Sequence, residues 1–140
     1  MAEHITRTED DTAALAAQLA QHAQQGDIWA LHGDLGAGKS VFARGFIQAL
    51  AGPIPVPSPT FTLIQTYDTP AGPLHHFDLY RLESPEEVLE LGWDEAMAEG
   101  ICLIEWPQRA QNYLPAIHKI IHIAPQTDGS RKITLHDTHS

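Results

Sequence analysis

Eight consecutive residues, Gly33-Asp34-Leu35-Gly36-Ala37-Gly38-Lys39-Ser40, fill the pattern G-x-x-x-x-G-K-[ST] in full. These residue types in this order suit one task, which is to hold a row of phosphates. Glycine lets the backbone curl until successive N–H groups face a common centre and form a nest for an anion. A helix that starts at the end of the loop aims its positive dipole end at the same point. Lys39 has the reach for β- and γ-phosphates, and the Ser40 hydroxyl is a hard oxygen donor suited to Mg²⁺. Nucleotide binding is the first expectation.

A phosphate loop of this kind needs a carboxylate near its metal, commonly at the end of a neighbouring apolar strand. Glu105 follows Ile101-Cys102-Leu103-Ile104 and meets that requirement. It either holds Mg²⁺ through water or orients the attacking water; the plainer alternative is a solvated carboxylate at a strand terminus. Asp78, after Leu74-His75-His76-Phe77, competes for the metal or water role, against an alternative as a cap for the turn before Arg81. Thr60 and Thr62 follow a proline-rich loop, where a threonine can sense the γ-phosphate as switch segments do. The plainer alternative is ordinary β-branched strand residues, a reading that fits Thr62 equally well. Arg81 is either a phosphate ligand or a surface partner of Asp78 or Glu83. Trp106 either packs on a nucleotide or partner or fills core. Nine histidines are present, but no H-E-x-x-H and no cysteine cluster accompany them, so zinc is not expected. The acids Glu86, Glu87, Glu90, Asp94, Glu95 and Glu99 read as a solvated helical face or as an edge for a basic partner.

The elements that must position these groups can be read along the chain. Thr8 is a helix N-cap with Asp11 three residues on; Ala14, Leu15, Leu19 and Ala23 recur at helical spacing, and Gly26 is a natural stop. Ile28-Trp29-Ala30-Leu31 is a short buried strand leading into the loop, and residues 39–50 carry a helical pattern. Pro53, Pro55, Pro57 and Pro59 force an extended connection. Residues 60–67 and 74–80 predict a hairpin around Thr69-Pro70-Ala71-Gly72. Ser84-Pro85-Glu86-Glu87 predicts a capping box with proline at the first helical position, and the helix runs to about Leu91. A second short helix is expected over 94–99, a buried strand over 101–104, and a short helix after Pro107. Residues 119–124 and 132–136 form a last hairpin through Asp128-Gly129. The expected architecture is α/β: a three-layer, P-loop NTPase-like fold with a mixed, mainly parallel sheet and hairpin additions, in one domain over residues 1–140.

Composition limits the setting. The 140 residues are 43% apolar, enough for a sizeable core. Eight basic against 18 acidic residues give a formal charge of −10, which repels phosphate backbones and argues against direct grip on nucleic acid or an anionic membrane. One cysteine, Cys102, excludes an internal disulfide and suits a reducing compartment. No apolar run approaches the roughly 20 residues of a membrane span, and the charged N-terminus lacks a signal core. A cytoplasmic protein is expected.

Guanine-specific P-loop proteins read the base with an N-K-x-D loop. The one asparagine here is Asn112, followed by Tyr113 and Leu114, so ATP is favoured. A small-molecule kinase would need a lid and an acceptor pocket, and no long insertion supplies them. Hydrolysis with water as acceptor is leaner. No obvious arginine finger is present, so turnover is expected to be slow alone and governed by a partner. The alternative is a nucleotide-gated assembly factor in which binding, not hydrolysis, is the switch.

Four ordered motifs carry a family resemblance. The phosphate loop, then Ser58-Pro59-Thr60-Phe61-Thr62-Leu63, then His76-Phe77-Asp78-Leu79-Tyr80-Arg81-Leu82, then Leu103-Ile104-Glu105-Trp106-Pro107 resemble the TsaE (YjeE) family in order and spacing. The resemblance implies a bacterial ATPase of the pathway that installs N6-threonylcarbamoyl on adenosine 37 of tRNAs decoding ANN codons. It implies TsaB and TsaD as partners, with TsaD performing the transfer, the ATPase resetting the complex between cycles, and tRNA met only through the complex. Matched motif by motif, it makes Leu35, Gly36, Ala37, Gly38, Lys39 and Ser40 ATP-binding; Glu9, by its place before the first helix, is expected near the nucleotide, as Thr60 is from its place after the proline-rich loop. It makes Ser40 and Glu105 the Mg²⁺ ligands, and Lys39, Asp78 and Glu105 the catalytic set. Family members more often carry threonine at the Ser40 position; either hydroxyl ligates Mg²⁺.

Overall fold

The computed structural model describes residues 2–59 and 62–138. In chain order its elements are β1 (Ala2–Thr6), α1 (Glu9–Ala20), β2 (Ile28–His32), α2 (Lys39–Ala51), β3 (Ile64–Thr69), β4 (Gly72–Asp78), α3 (Trp93–Glu99), β5 (Ile101–Glu105), β6 (Lys119–Pro125) and β7 (Arg131–Asp137). Two 3₁₀ segments, Pro85–Leu91 and Pro107–Tyr113, flank α3 and follow β5.

The two continuous apolar runs become the centre of the sheet, as burial on both faces requires. β2 and β5 pair in parallel, with Ile28 opposite Cys102 and Leu31 opposite Glu105. The full order is β1-β7-β6-β2-β5-β4-β3. β4, β5, β2, β6 and β1 run in one sense and β3 and β7 against it, so the sheet is mixed and mainly parallel. Side chains alternate across it. Trp29, Leu31, Leu74 and Leu103 join Phe42, Phe46 and Leu15 under α1 and α2. Ile28, Phe77, Cys102 and Ile104 meet Val88, Trp93 and Ala110 on the other side. The result is three layers, with edge-to-face ring pairs Trp29–Phe46 at 5.1 Å and Phe77–Trp93 at 4.9 Å on opposite faces.

α1 and α2 pack at close range because Gly45 has no side chain. A Cβ there would lie 2.6 Å from the Ala13 carbonyl oxygen and 2.8 Å from its Cα, backbone atoms that cannot turn aside. Gly45→Ala is expected to lower the unfolding free energy by about 2 kcal/mol, read from urea denaturation. A change within about 0.5 kcal/mol would show that the helices separate freely.

Several elements differ from expectation. β1 had no sequence signal: Ala-Glu-His-Ile-Thr offers one large apolar residue, Ile5, and that side chain is 51% exposed. The strand exists because its backbone pairs with β7, from Ala2 opposite Leu135 to Thr6 opposite Arg131. α1 takes the predicted cap, with the Thr8 hydroxyl accepting from Asp11 N–H at 3.0 Å, but ends at Ala20 rather than near Gly26. β3 begins at Ile64, because Leu63 just ahead of it is left-handed (φ 65°) and breaks the extended run; residues 60 and 61, where the expected strand began, lie outside the described residues. The predicted capping box at Ser84 does not form. Ser84 makes no side-chain cap, Glu87 Oε2 accepts from Glu83 N–H at 3.3 Å instead, and the segment winds as 3₁₀ rather than α. The helix after Pro107 is likewise 3₁₀, interrupted at Gln111. Among the described residues no helix is long and apolar enough to cross a membrane.

Candidate functional site

Three strand ends meet at one edge of the sheet. β2 runs into the glycine-rich loop, β4 ends on Asp78 and β5 ends on Glu105. The parallel registers set Glu105 opposite both Leu31 and Asp78. Period-2 alternation then turns Asp78 and Glu105 toward the face covered by α2, the helix that starts at Lys39. A crevice beyond the carboxyl ends of parallel strands is where open α/β sheets take ligands.

The loop has the backbone its glycines allow. Gly36 and Gly38 are left-handed (φ 79° and 108°), conformations costly to any residue with a Cβ. Gly38 is the N-cap of α2 and offers no side chain, so the first-turn N–H groups stay available to a ligand. Ala37 N–H donates to the Asp34 carbonyl at 3.0 Å, which tightens the curl. From the far end of the chain Arg131 Nε donates to the Ala37 carbonyl at 2.9 Å and pins the loop to β7. That contact was not foreseen, because the last hairpin carries no motif.

Lys39, Asp78 and Glu105 are 6%, 8% and 5% exposed, a dense set of buried charges. Lys39 Nζ donates to the Gly33 carbonyl at 2.5 Å and lies 3.5 Å from the centre of the Trp106 ring. Burial holds its pKa below the ordinary lysine value, against the opposing pull of Glu105, Asp78 and Asp34. Burial likewise raises the Asp78 pKa, opposed by the Tyr80 N–H that donates to Oδ1 at 3.1 Å, with Glu105 adding to the rise. Glu105 Oε2 accepts from His76 Nε2 at 2.7 Å. The sequence reading gave His76 no role, although it opens the motif His76-Phe77-Asp78 and stands two residues before Asp78 on the same face of one strand.

A cavity of about 410 Å³ opens over this set, lined by Leu35, Gly36, Gly38, Lys39, Ser40, Asp78, Tyr80, Arg81, Glu105 and Trp106. A second of about 190 Å³ lies across the loop, between Arg7, Thr12 and Arg131. Glu9, the first residue of α1, lines both. Leu35 projects to solvent, 66% exposed, and Ala37 is buried behind the loop. Trp106 serves both readings: it lines the cavity and also packs against the core on the Phe77–Trp93 side, half-buried, left-handed (φ 56°) and 5.0 Å centroid to centroid from Tyr80. Arg81 faces the same cavity. Thr62 does not: it sits in a turn ahead of β3, its hydroxyl donating to the Ile64 carbonyl at 3.1 Å. Thr60 lies outside the described residues. Cys102 is buried with its pKa pushed up to about 12, and its thiol donates to the Ala96 carbonyl at 3.2 Å, so it offers no thiolate chemistry.

No group of three or more His, Cys, Asp or Glu among the described residues forms a metal cage. What converges is a hydroxyl and two carboxylates. Hard oxygen donors that leave most of a coordination shell to water and phosphate fit Mg²⁺, which takes one or two carboxylates plus substrate oxygens.

The family model for threonylcarbamoyl adenosine biosynthesis protein TsaE matches residues 6–133. The tRNA threonylcarbamoyladenosine biosynthesis protein TsaE of Bacillus subtilis is 41% identical over 131 residues, 93% of this chain and 82% of that one. The protein of the same name from Rickettsia felis is 46% identical over 111 residues, 79% of this chain and 65% of that one. This chain thus spans just under two thirds of the length of the Rickettsia felis and Rickettsia conorii relatives, 65% and 64%. A crystal structure of Bacillus subtilis YdiB superposes with a TM-score of 0.80 at 36% identity, covering 96% of this chain and 83% of that one. Matched across nearly its whole length by family model, by relatives and by fold, the chain belongs to the TsaE family of threonylcarbamoyl adenosine biosynthesis proteins.

Proposed function

We propose that the chain is a Mg²⁺-dependent ATPase of tRNA N6-threonylcarbamoyladenosine formation, working in the cytoplasm with TsaB and TsaD. The observation that carries this reading is the convergence of Lys39, Ser40, Asp78 and Glu105 on one cavity at the mouth of α2. The triphosphate lies along the Gly33-to-Ser40 loop, with its nucleoside end toward the smaller cavity between Arg7, Thr12 and Arg131. Lys39 leaves the Gly33 carbonyl for the β- and γ-phosphates. Ser40 and Glu105 would hold Mg²⁺, which when bound would supply charge neutralisation for the transferring phosphoryl group. Asp78, with Oδ1 engaged by Tyr80 N–H, turns its remaining oxygen to the attacking water. Water oxygen bonds to the γ-phosphorus, the bond to the β,γ-bridging oxygen breaks, and ADP and phosphate leave. A carboxylate with a raised pKa is the better proton acceptor for that water. The charge of −10 supports indirect contact with tRNA through the partners.

The test is ATP turnover by the purified chain alone and with TsaB and TsaD, each with Mg²⁺ or EDTA. Slow turnover alone, acceleration by the partners and loss in EDTA are expected. No uptake of ATP or ADP by calorimetry, alone or in complex, would sink the reading.

Asp78 also permits a stability test. Its folded pKa is raised, so the stability tied to it is present below the unfolded pKa and lost as pH rises through the folded value. At neutral pH Asp78→Asn is therefore expected to be more stable, by on the order of 1 kcal/mol, while hydrolysis is lost. Calorimetric melting checks it; a lower melting temperature contradicts the burial argument.

A further inference from the structure

We infer that His76 is a positioning residue for Glu105: its ring N–H fixes which carboxylate oxygen faces the metal side of the cavity, a role that rests on the hydrolytic reading above. Glutamate has three rotatable side-chain bonds, and at a strand end nothing intrinsic selects one rotamer. Here one contact does. His76 Nε2 lies 2.7 Å from Glu105 Oε2, a short charge-assisted bond between side chains that are 3% and 6% exposed. Oε2 is engaged by His76, and Oε1 is left for the metal side.

The backbone builds this pairing. In the parallel register of β4 on β5, His76 is opposite Leu103 and Asp78 opposite Glu105. Residues two apart on a strand share a face, so His76 and Asp78 both flank the Glu105 side chain from β4. One strand thus carries both the second carboxylate and the group that orients the first. The ring's other nitrogen, Nδ1, is buried with no hydrogen-bond partner among the described residues. A hydrogen on Nδ1 would be buried and unpaired, so the tautomer that fits carries it on Nε2 and donates to Glu105. Groups that hold a metal-facing carboxylate in this way commonly change metal affinity or activity by about 10–100-fold when removed. A buried pair that served only stability would leave metal affinity untouched.

The experiment uses the wild-type chain, His76→Leu, which removes the donor, and His76→Gln, which returns an N–H near the Nε2 position. Histidine ¹⁵N spectra of the wild-type chain are expected to show the Nε2–H tautomer for His76. Calorimetric ATP titrations over a range of Mg²⁺ are expected to show His76→Leu needing about 10–100-fold more Mg²⁺ for half-maximal binding, with ATP affinity in EDTA unchanged. kcat is expected to fall in parallel, and His76→Gln to recover most of both. The inference is overturned by an Nδ1–H tautomer or by a His76→Leu chain with wild-type Mg²⁺ dependence. It is overturned equally if a folded His76→Gln is no better than His76→Leu. If the wild-type chain takes up no nucleotide, the hydrolytic reading falls and the positioning role falls with it, even where the spectrum upholds the histidine–glutamate pair.

Discussion

Lys39→Ala is expected to bind ATP and ADP at least about 100-fold more weakly than the wild-type chain, equivalent to a loss of about 2.7 kcal/mol. The loss is large because this ammonium is already in place and already desolvated. It is 6% exposed, held by the Gly33 carbonyl and the Trp106 ring, and burial lowers its pKa. A triphosphate brings anionic oxygens that compensate that burial, and an ammonium in a low-dielectric cleft pairs with them far more strongly than one in water. Alanine removes the charge and leaves Asp78 and Glu105 facing the incoming phosphates without this buried ammonium to offset them. Isothermal calorimetry with saturating Mg²⁺ measures the effect, and a melting curve shows whether the variant is folded. Affinity within about threefold of wild type would remove the phosphate loop from the account.

Glu105→Gln is the second large effect: hydrolysis is expected to fall by about 10²–10⁴-fold while ATP affinity stays within about threefold. Glutamine keeps the shape and still accepts from His76 Nε2, so the buried ring is not orphaned; only the charge is lost. Glu105→Ala is expected to stop hydrolysis too, but it leaves His76 with both ring nitrogens unpartnered and so costs stability as well. Single-turnover phosphate release separates chemistry from binding. Normal hydrolysis by Glu105→Gln would show that the metal-facing carboxylate is elsewhere, with Asp78 the next candidate.

Much of this site was legible because its parts are local. The phosphate loop is eight adjacent residues, and the apolar run 101–104 states its own burial and delivers Glu105 at its end. Asp78 was legible for the same reason, as the polar residue closing a strand. What could not be read depends on partners distant in sequence. The 2.7 Å bond from His76 to Glu105 exists only in one parallel register of β4 on β5, which no local pattern specifies. Arg131 reaches the Ala37 carbonyl across 94 positions. β1 owes its strand to pairing with β7, and Ser84-Pro85-Glu86-Glu87 has a capping box in its letters but not in its geometry. There a 3₁₀ winding and a competing Glu83–Glu87 contact prevailed over local propensity.

The clamp on Ala37 ties the two ends of the chain to the nucleotide loop. Arg131 opens β7, its backbone partner in β1 is Thr6, and Thr6 shares a 2.8 Å hydroxyl contact with Thr12 of α1. Peeling away five N-terminal residues would release a mechanical strut two contacts from the phosphates. Loss of β1 is therefore expected to loosen the loop at Ala37, although none of Ala2–Thr6 lines either cavity beside that loop.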